Sequence, residues 1–456
     1  MEEATGGTTE AASIDWKGMT INMTTLIRNG AALAGCLLAT TLAANAQSLE
    51  GRWDAKLIQK SAAIPFRLDI SGQGANLKAT FYDGWKVNET TTAAKFENGV
   101  LTLDLGHYLT QITATYKDGK LTGSLGSTSR QGTASYGFEA KPYVAPTDLP
   151  TSYPKIAGTW EIPLTKPTAK GEKTQRFVVQ QDGPSIAATT LRVDGDTGSH
   201  VGTYKDGKWV ISHFDGSRPG LLEVKYNDKD GTLEITQGGG RRPAAALNED
   251  AAPGKLVAYR PEVARSKGFP EPENYQTHTT VRDPKEVFAF SFPDANGKLR
   301  SNTDPEFAGK VVLAIVTGTW CPNCHDEAQY LVELYKKYHD KGLEIVALDF
   351  EEPEQLGNLE RVHAFVKQYV VPYPYLIAGA PVEMWEKVPQ AINLNTWPAT
   401  LFVGRDGLVK ATHSGFASPA AGDFNDQLKK EFTSNIEKLL AEKPASTGQL
   451  QVKAGL

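Results

Sequence analysis

Six consecutive apolar residues, Val311-Val-Leu-Ala-Ile-Val316, run almost directly into Thr319-Trp-Cys-Pro-Asn-Cys324. The run is rich in β-branched side chains, and its length suits a strand buried on both faces. Beyond it, Ala328, Leu331, Val332, Tyr335 and Tyr338 fall on one face of a helix. A Cys-x-x-Cys pair therefore stands where a buried strand turns into a helix. Pro322 fits the first helical turn, where its missing N–H leaves nothing unpaired. Cys321 then lies at the helix N-terminus, where the dipole and free N–H groups favour a thiolate. A thiolate is the nucleophile of disulfide exchange, and Cys324 is placed to resolve the mixed disulfide.

With 456 residues, the chain is long enough for two or three domains. Its net charge of −5, with no Lys/Arg run, argues against a nucleic-acid partner. Residues 1–46 read as a targeting segment. Arg28 precedes an apolar, small-residue run over 31–43, and Ala44-Asn45-Ala46 matches a cleavage site. Residues 1–18 are polar and read as an upstream extension, with Met19 or Met23 as alternative starts. Leu33-Ala-Gly-Cys36 is similar to a lipoprotein box, but the apolar run continues past Cys36, which disfavours anchoring there. The run is shorter than the roughly 20 residues of a membrane span. Export would remove Cys36 and leave Cys321 and Cys324. A lone pair at this spacing closes almost no loop and stabilises little, so redox chemistry explains it better. No cofactor or metal is expected beyond this dithiol.

Residues 48–141 alternate short β-rich runs, at 64–70, 100–105 and 112–116, with turn signals; Asn98-Gly99 and Asp118-Gly119 suit type I′ hairpins. A proline-spaced linker spans 142–154. Residues 155–260 then repeat the first unit. Gly51-Arg-Trp53 recurs as Gly158-Thr-Trp160, and the run from Phe96 to Leu103 recurs from Tyr204 to Ile211, at an offset near 107–110 residues. Two all-β copies, each a small barrel or sandwich, are the simplest account; one larger barrel built from both is the weaker alternative. His107, His200 and His213 show no clustering in the sequence, and no chemical constellation is expected in these copies. Gly238-Gly-Gly-Arg-Arg242 reads as a flexible loop, because no helix follows it. A second linker covers 261–275. From 276 to 445 the pattern is α/β, with strands expected at 288–292, 311–316, 343–348, 400–403 and 408–412. Helices are expected after Cys324 and over 359–369 and 424–441, and residues 446–456 form a frayed tail.

On these residues the C-terminal part resembles the thioredoxin superfamily, and more narrowly the exported thiol-disulfide oxidoreductases of the TlpA/ResA type. The resemblance rests on the targeting segment, on Trp320-Cys-Pro-Asn-Cys324, and on Trp397-Pro398-Ala-Thr400 leading into a hairpin. It implies a thioredoxin-like fold, a periplasmic location, disulfide-containing exported proteins as substrates and a membrane electron donor. It also implies a cis-proline at Pro398 beside the cysteines, with Trp320, Pro322, Trp397 and Pro398 forming the substrate surface. The residue before that proline is usually small or β-branched, so Trp397 is a departure. Thioredoxin itself has a buried Asp six residues before the first cysteine, where this chain has Ile315. The TlpA/ResA group instead has a Glu three residues after the second cysteine, and Glu327 matches. One helical turn from Cys324, a buried carboxylate can accept that thiol's proton. Gln329 departs from the proline usual in the group at that position.

Other chemistries share parts of this pattern. Cys321-Pro-Asn-Cys324-His325 is the spacing of a c-type haem attachment, with Met384 as a potential axial ligand. Cys321, Cys324 and His413 form a weaker copper set. A peroxidase of the peroxiredoxin type needs Thr-x-x-Cys, and Thr319 stands two residues before Cys321, not three. A non-enzymatic reading makes the β copies a binding module with a subsidiary redox domain. The dithiol oxidoreductase accounts best for strand, pair, helix and proline together.

Overall fold

The computed structural model describes residues 48–59, 62–129, 132–240 and 254–443. The stretch read as a targeting segment, Arg241, Arg242 and the stretch read as a C-terminal tail lie outside the described residues.

Nine antiparallel strands between Gly51–Gln59 and Gly132–Pro142 make the first sheet. Gly51–Gln59 pairs with Ala62–Ser71 on one side and Gly132–Pro142 on the other. The two edge strands, Lys86–Thr90 and Ala93–Glu97, are consecutive in sequence, so the sheet is curled. Phe81 and Leu103, from opposite arms of the sheet, share one core with Trp53, Leu57, Ile112 and Phe138. Asn98, Gly99, Asp118 and Gly119 all have positive φ, as type I′ turns require.

A second antiparallel sheet runs from Gly158–Pro163 to Lys255–Ala258. It closes on itself where Glu161 and Tyr259 exchange backbone hydrogen bonds of 2.7 and 2.8 Å. Trp160, Phe177, Trp209 and Ile235 fill its interior. The two sheets are separate, so the single larger barrel is not formed. They share a detail that the repeated Gly-x-Trp foreshadows. Trp53 Nε1 donates to Leu49 O at 2.9 Å, and Trp160 Nε1 donates to Ile156 O at 2.8 Å. Each indole clamps the chain entering its first strand. Two expectations are corrected here. Gly238–Gly240 continues the strand Thr232–Gly240 and is not loop. The segment read as a second linker contains the short helix Pro261–Ser266.

The C-terminal region is thioredoxin-like. Its five-stranded sheet has the order Tyr375–Gly379, Leu343–Phe350, Val311–Thr317, Ala399–Val403, Val409–Ser414. The first three strands are parallel and the last two antiparallel to their neighbours. Every residue of Val311–Thr317 is buried, because both faces are covered. Val311, Leu313 and Ile315 pack with Leu331, Phe365 and Phe432 from the helices Pro322–Tyr338, Glu360–Tyr369 and Asp423–Ala441. Val312, Ala314 and Val316 pack on the other face with Phe288, Met384 and Leu394. The expected strand at 288–292 shrinks to Ser291–Pro293, though Phe288 and Phe290 still enter the core. Tyr375–Gly379 was not foreseen as a strand. Among the described residues no helix is long and apolar enough to cross a membrane.

Candidate active site

Cys321 caps the helix Pro322–Tyr338 in extended conformation, with Pro322 opening the first turn. Both cysteines are free thiols and both are buried, Cys321 to 6% exposure and Cys324 to 2%. Their electrostatics differ. Burial pushes the Cys321 thiol up, but hydrogen bonds from the Cys324 thiol and backbone N–H outweigh it and leave its pKa below the usual value. Cys324 is held well above the usual thiol range, first by burial and then by the bond it gives Cys321. Cys321 is thus the better thiolate of the two.

The Trp397–Pro398 peptide is cis. Trp397 O accepts from Cys321 Sγ at 3.3 Å, which places this loop directly beside the first cysteine. Trp397 packs edge-on to Trp320 with centroids 5.3 Å apart, and Trp320 Nε1 donates to Phe350 O at 2.9 Å. Glu327 is buried one turn beyond Cys324, and its Oε1 accepts from Thr400 Oγ1 at 2.8 Å. Desolvation raises its pKa to about 8, against the bond from Thr400. Every residue singled out for this site in the sequence therefore meets around the helix N-terminus.

The haem and copper sets do not assemble in the same way. His325 is buried with both ring nitrogens engaged, Nε2 on Thr319 O at 2.7 Å and Nδ1 on the Tyr369 hydroxyl at 2.9 Å. Met384 is enclosed in the core below the sheet. His413 Nδ1 is 2.9 Å from Glu431 Oε1. Thr319, the peroxidase candidate, bonds through its hydroxyl to Glu351 and accepts from Arg361 Nε at 3.1 Å.

The feature absent from the sequence reading is a cover. A turn of the second β sheet, around the short strand Gly195–Asp196, lies on the Cys321 end of the helix. Asn323 Nδ2 donates to Asp194 O at 2.7 Å, and Arg218 Nη1 donates to Asn323 Oδ1 at 3.1 Å. Ser418 N–H donates to Asp196 Oδ2 at 2.6 Å. Two glycines let the backbones meet. A Cβ on Gly195 would overlap Phe416 O and lie 2.7 Å from Asn323 Nδ2; one on Gly415 would overlap Val193 O and lie 2.7 Å from Gly195 N. Gly415 N–H in turn donates to Pro398 O at 2.8 Å, so the turn abuts the cis-proline loop.

The histidines of the two β sheets also correct the sequence reading, in which they formed no cluster. His200 and His213 are buried with ring centroids 5.5 Å apart, and His213 lies 3.3 Å from Asp83 and 3.5 Å from Asp215. Arg218 joins Asp215 at 2.8 Å to Asp326 at 3.1 Å, linking this cluster to the cysteine helix. Burial, the largest influence, raises the Asp326 pKa well above the ordinary carboxylate value. His107 pairs with Glu89 at 3.2 Å, 5.6 Å from the His325 ring. Only the glycines of Val193-Asp-Gly-Asp-Thr-Gly198 hinted at a close approach, and nothing local named its partner.

Strand, dithiol helix and cis-proline loop define a thioredoxin-like domain. In comparison with known proteins, residues 285–412 match the AhpC/TSA family. The thiol-disulfide oxidoreductase ResA of Bacillus cereus (strain ZK / E33L) is 35% identical over 125 residues, covering 27% of this chain and 65% of ResA. ResA of Halalkalibacterium halodurans is 29% identical over 132 residues, covering 29% of this chain and 65% of that protein. The match thus spans just under two thirds of these curated relatives and leaves the β sheets outside it. Among solved structures, a thiol:disulfide interchange protein of the thioredoxin family from Chlorobium tepidum TLS aligns at 22% identity and a TM-score of 0.26, covering 36% of this chain and all of that one.

Proposed function

We propose that this protein is an exported thiol-disulfide oxidoreductase that reduces protein disulfides. The observation that carries the reading is the asymmetry of the dithiol: an activated Cys321 beside the cis-proline loop, and a protonated Cys324 within a helical turn of buried Glu327. The Cys321 thiolate attacks a substrate disulfide, forming a mixed disulfide and expelling one substrate thiolate. Glu327 takes the Cys324 proton as Cys324 attacks Cys321 Sγ, and the second substrate thiolate leaves. The Cys321–Cys324 disulfide is then reduced by an external dithiol donor, which we assign to the membrane. The exported, periplasmic setting rests on the targeting segment and on likeness to ResA. The equilibrium of the pair with glutathione tests the direction. A potential near about −270 mV is expected, and one near about −120 mV would make the protein an oxidant instead.

Glu327→Gln tests the proton step. With the carboxyl at about 8, resolution of the mixed disulfide should quicken as pH rises toward 8 and level off above it. The variant should lose that inflection and resolve about 10²-fold or more slowly at pH 8.5. Stability follows the same group. Its folded pKa lies above the ordinary glutamate value of 4.5, so the stability it confers is complete below 4.5 and is lost as pH rises through about 8. Glu327→Gln should therefore gain thermal stability over the wild type at pH 9 and not at pH 4. An unchanged pH–rate profile in stopped-flow traces would remove Glu327 from the mechanism.

A further inference from the structure

Glu89, His107 and His325 present ligand atoms within 4.8 Å of one another, and all three residues are buried. Glu89 lies on the strand Lys86–Thr90 of the first sheet, His107 on the short turn Gly106–Tyr108 after the strand Val100–Leu105, and His325 on the cysteine helix. We propose that these three side chains, completed by the Tyr369 hydroxyl, bind a divalent transition metal of the zinc class and tie the first β sheet to the redox helix.

Thr319 O can only accept, so His325 Nε2 carries a proton and, in the neutral ring, Nδ1 offers its lone pair to the cluster. Tyr369 has a single hydroxyl proton and touches both Glu89 Oε1 and His325 Nδ1. While Glu89 is ionised, that one proton serves only one of the two contacts. Glu89 has no Lys or Arg partner among the described residues; its recorded ion pair is with His107. His107 Nδ1 and the Tyr108 hydroxyl are buried without a hydrogen-bond partner there. A divalent cation among them would take the Glu89 carboxylate and one lone pair from each imidazole.

The donor set fits the chemistry. Two imidazoles and a carboxylate suit zinc, with bonds of about 2.0–2.2 Å and a fourth ligand completing a tetrahedron. The bond from His325 Nε2 to a backbone carbonyl is the outer-shell contact that orients a ligating histidine. His107 Nε2 and Glu89 Oε2, 3.2 Å apart, already stand at about the spacing of two ligands on one ion.

Cobalt(II) is the probe, because tetrahedral sites give it strong visible bands. The full chain carrying Cys321→Ser and Cys324→Ser, which removes the thiols as competing ligands, is stripped with chelator and titrated with Co²⁺. One equivalent should bind with visible d–d bands, Zn²⁺ should displace it, and thermal unfolding should shift upward with metal. Adding Glu89→Gln or His107→Gln to that background should weaken binding at least tenfold. No Co²⁺ uptake in the double-serine chain would overturn the proposal, as would uptake that neither substitution changes. In either case the cluster is a proton-sharing hydrogen-bond network.

Discussion

A Cys324→Ser variant is expected to hold its substrate as a mixed disulfide on Cys321 and to lose catalytic turnover entirely. The reason is chemical. The first attack needs only the Cys321 thiolate, which the Cys324 N–H and the helix N-terminus still stabilise. The second attack needs a sulfur at residue 324, and a serine hydroxyl is too weak a nucleophile toward a disulfide. Non-reducing electrophoresis and mass spectrometry of the trapped adduct check this. Should Cys321→Ser trap adducts while Cys324→Ser does not, the two roles are reversed. A serine hydroxyl in place of the Cys324 thiol can still donate to Cys321 Sγ, so the first cysteine keeps its side-chain and backbone donors. The first step should therefore proceed near neutral pH while its product persists.

The second large effect concerns access. Cys321 is only 6% exposed, and the turn around Gly195–Asp196 packs against its helix end, with Asp194 O accepting from Asn323 Nδ2. Gly195→Val should dislodge that turn. Gly195 has φ of +113°, where an L-residue is strained, and the new side chain would meet the Phe416 carbonyl and the Asn323 amide. Such strain costs about 1–3 kcal/mol, and each 1.4 kcal/mol is tenfold, so the open population should rise by about 5- to 140-fold. Alkylation of Cys321 by a bulky maleimide should quicken by that factor. Reduction of a folded protein disulfide should accelerate in the same direction. Unfolding curves for both β sheets should be compared first, since the substitution lies in one of them. Unchanged alkylation in a folded variant would show that the cover does not limit access.

The interface buries residues that a helix seen alone assigns to solvent. Glu327 was legible through the resemblance, which puts a Glu three residues after the second cysteine, and the structure buries it one turn from Cys324. Asp326 and His325 precede it as polar residues whose burial nothing in the local sequence indicates. Both are buried here, against Arg218 of the second sheet and His107 and Tyr108 of the first. Likewise His107, His200 and His213 look like scattered polar residues until packing places them in the seams between units.

The sequence by itself determined what is encoded within a few residues. The alternation of Val311–Thr317 between two cores follows from its apolar run. The helix start follows from Cys321-Pro322, the hairpins from Asn98-Gly99 and Asp118-Gly119, and the paired indole clamps from the repeated Gly-x-Trp. These are periodicities and turn chemistries that act over one strand or one helical turn. Only the tertiary structure decided that the second sheet closes on itself, that its turn packs against the Cys321 end of the helix, and that Glu89 faces His325. Those outcomes depend on which polar surfaces meet when separately folded sheets pack on the redox domain. A polar side chain bound for a buried seam has the same local sequence signature as one bound for water.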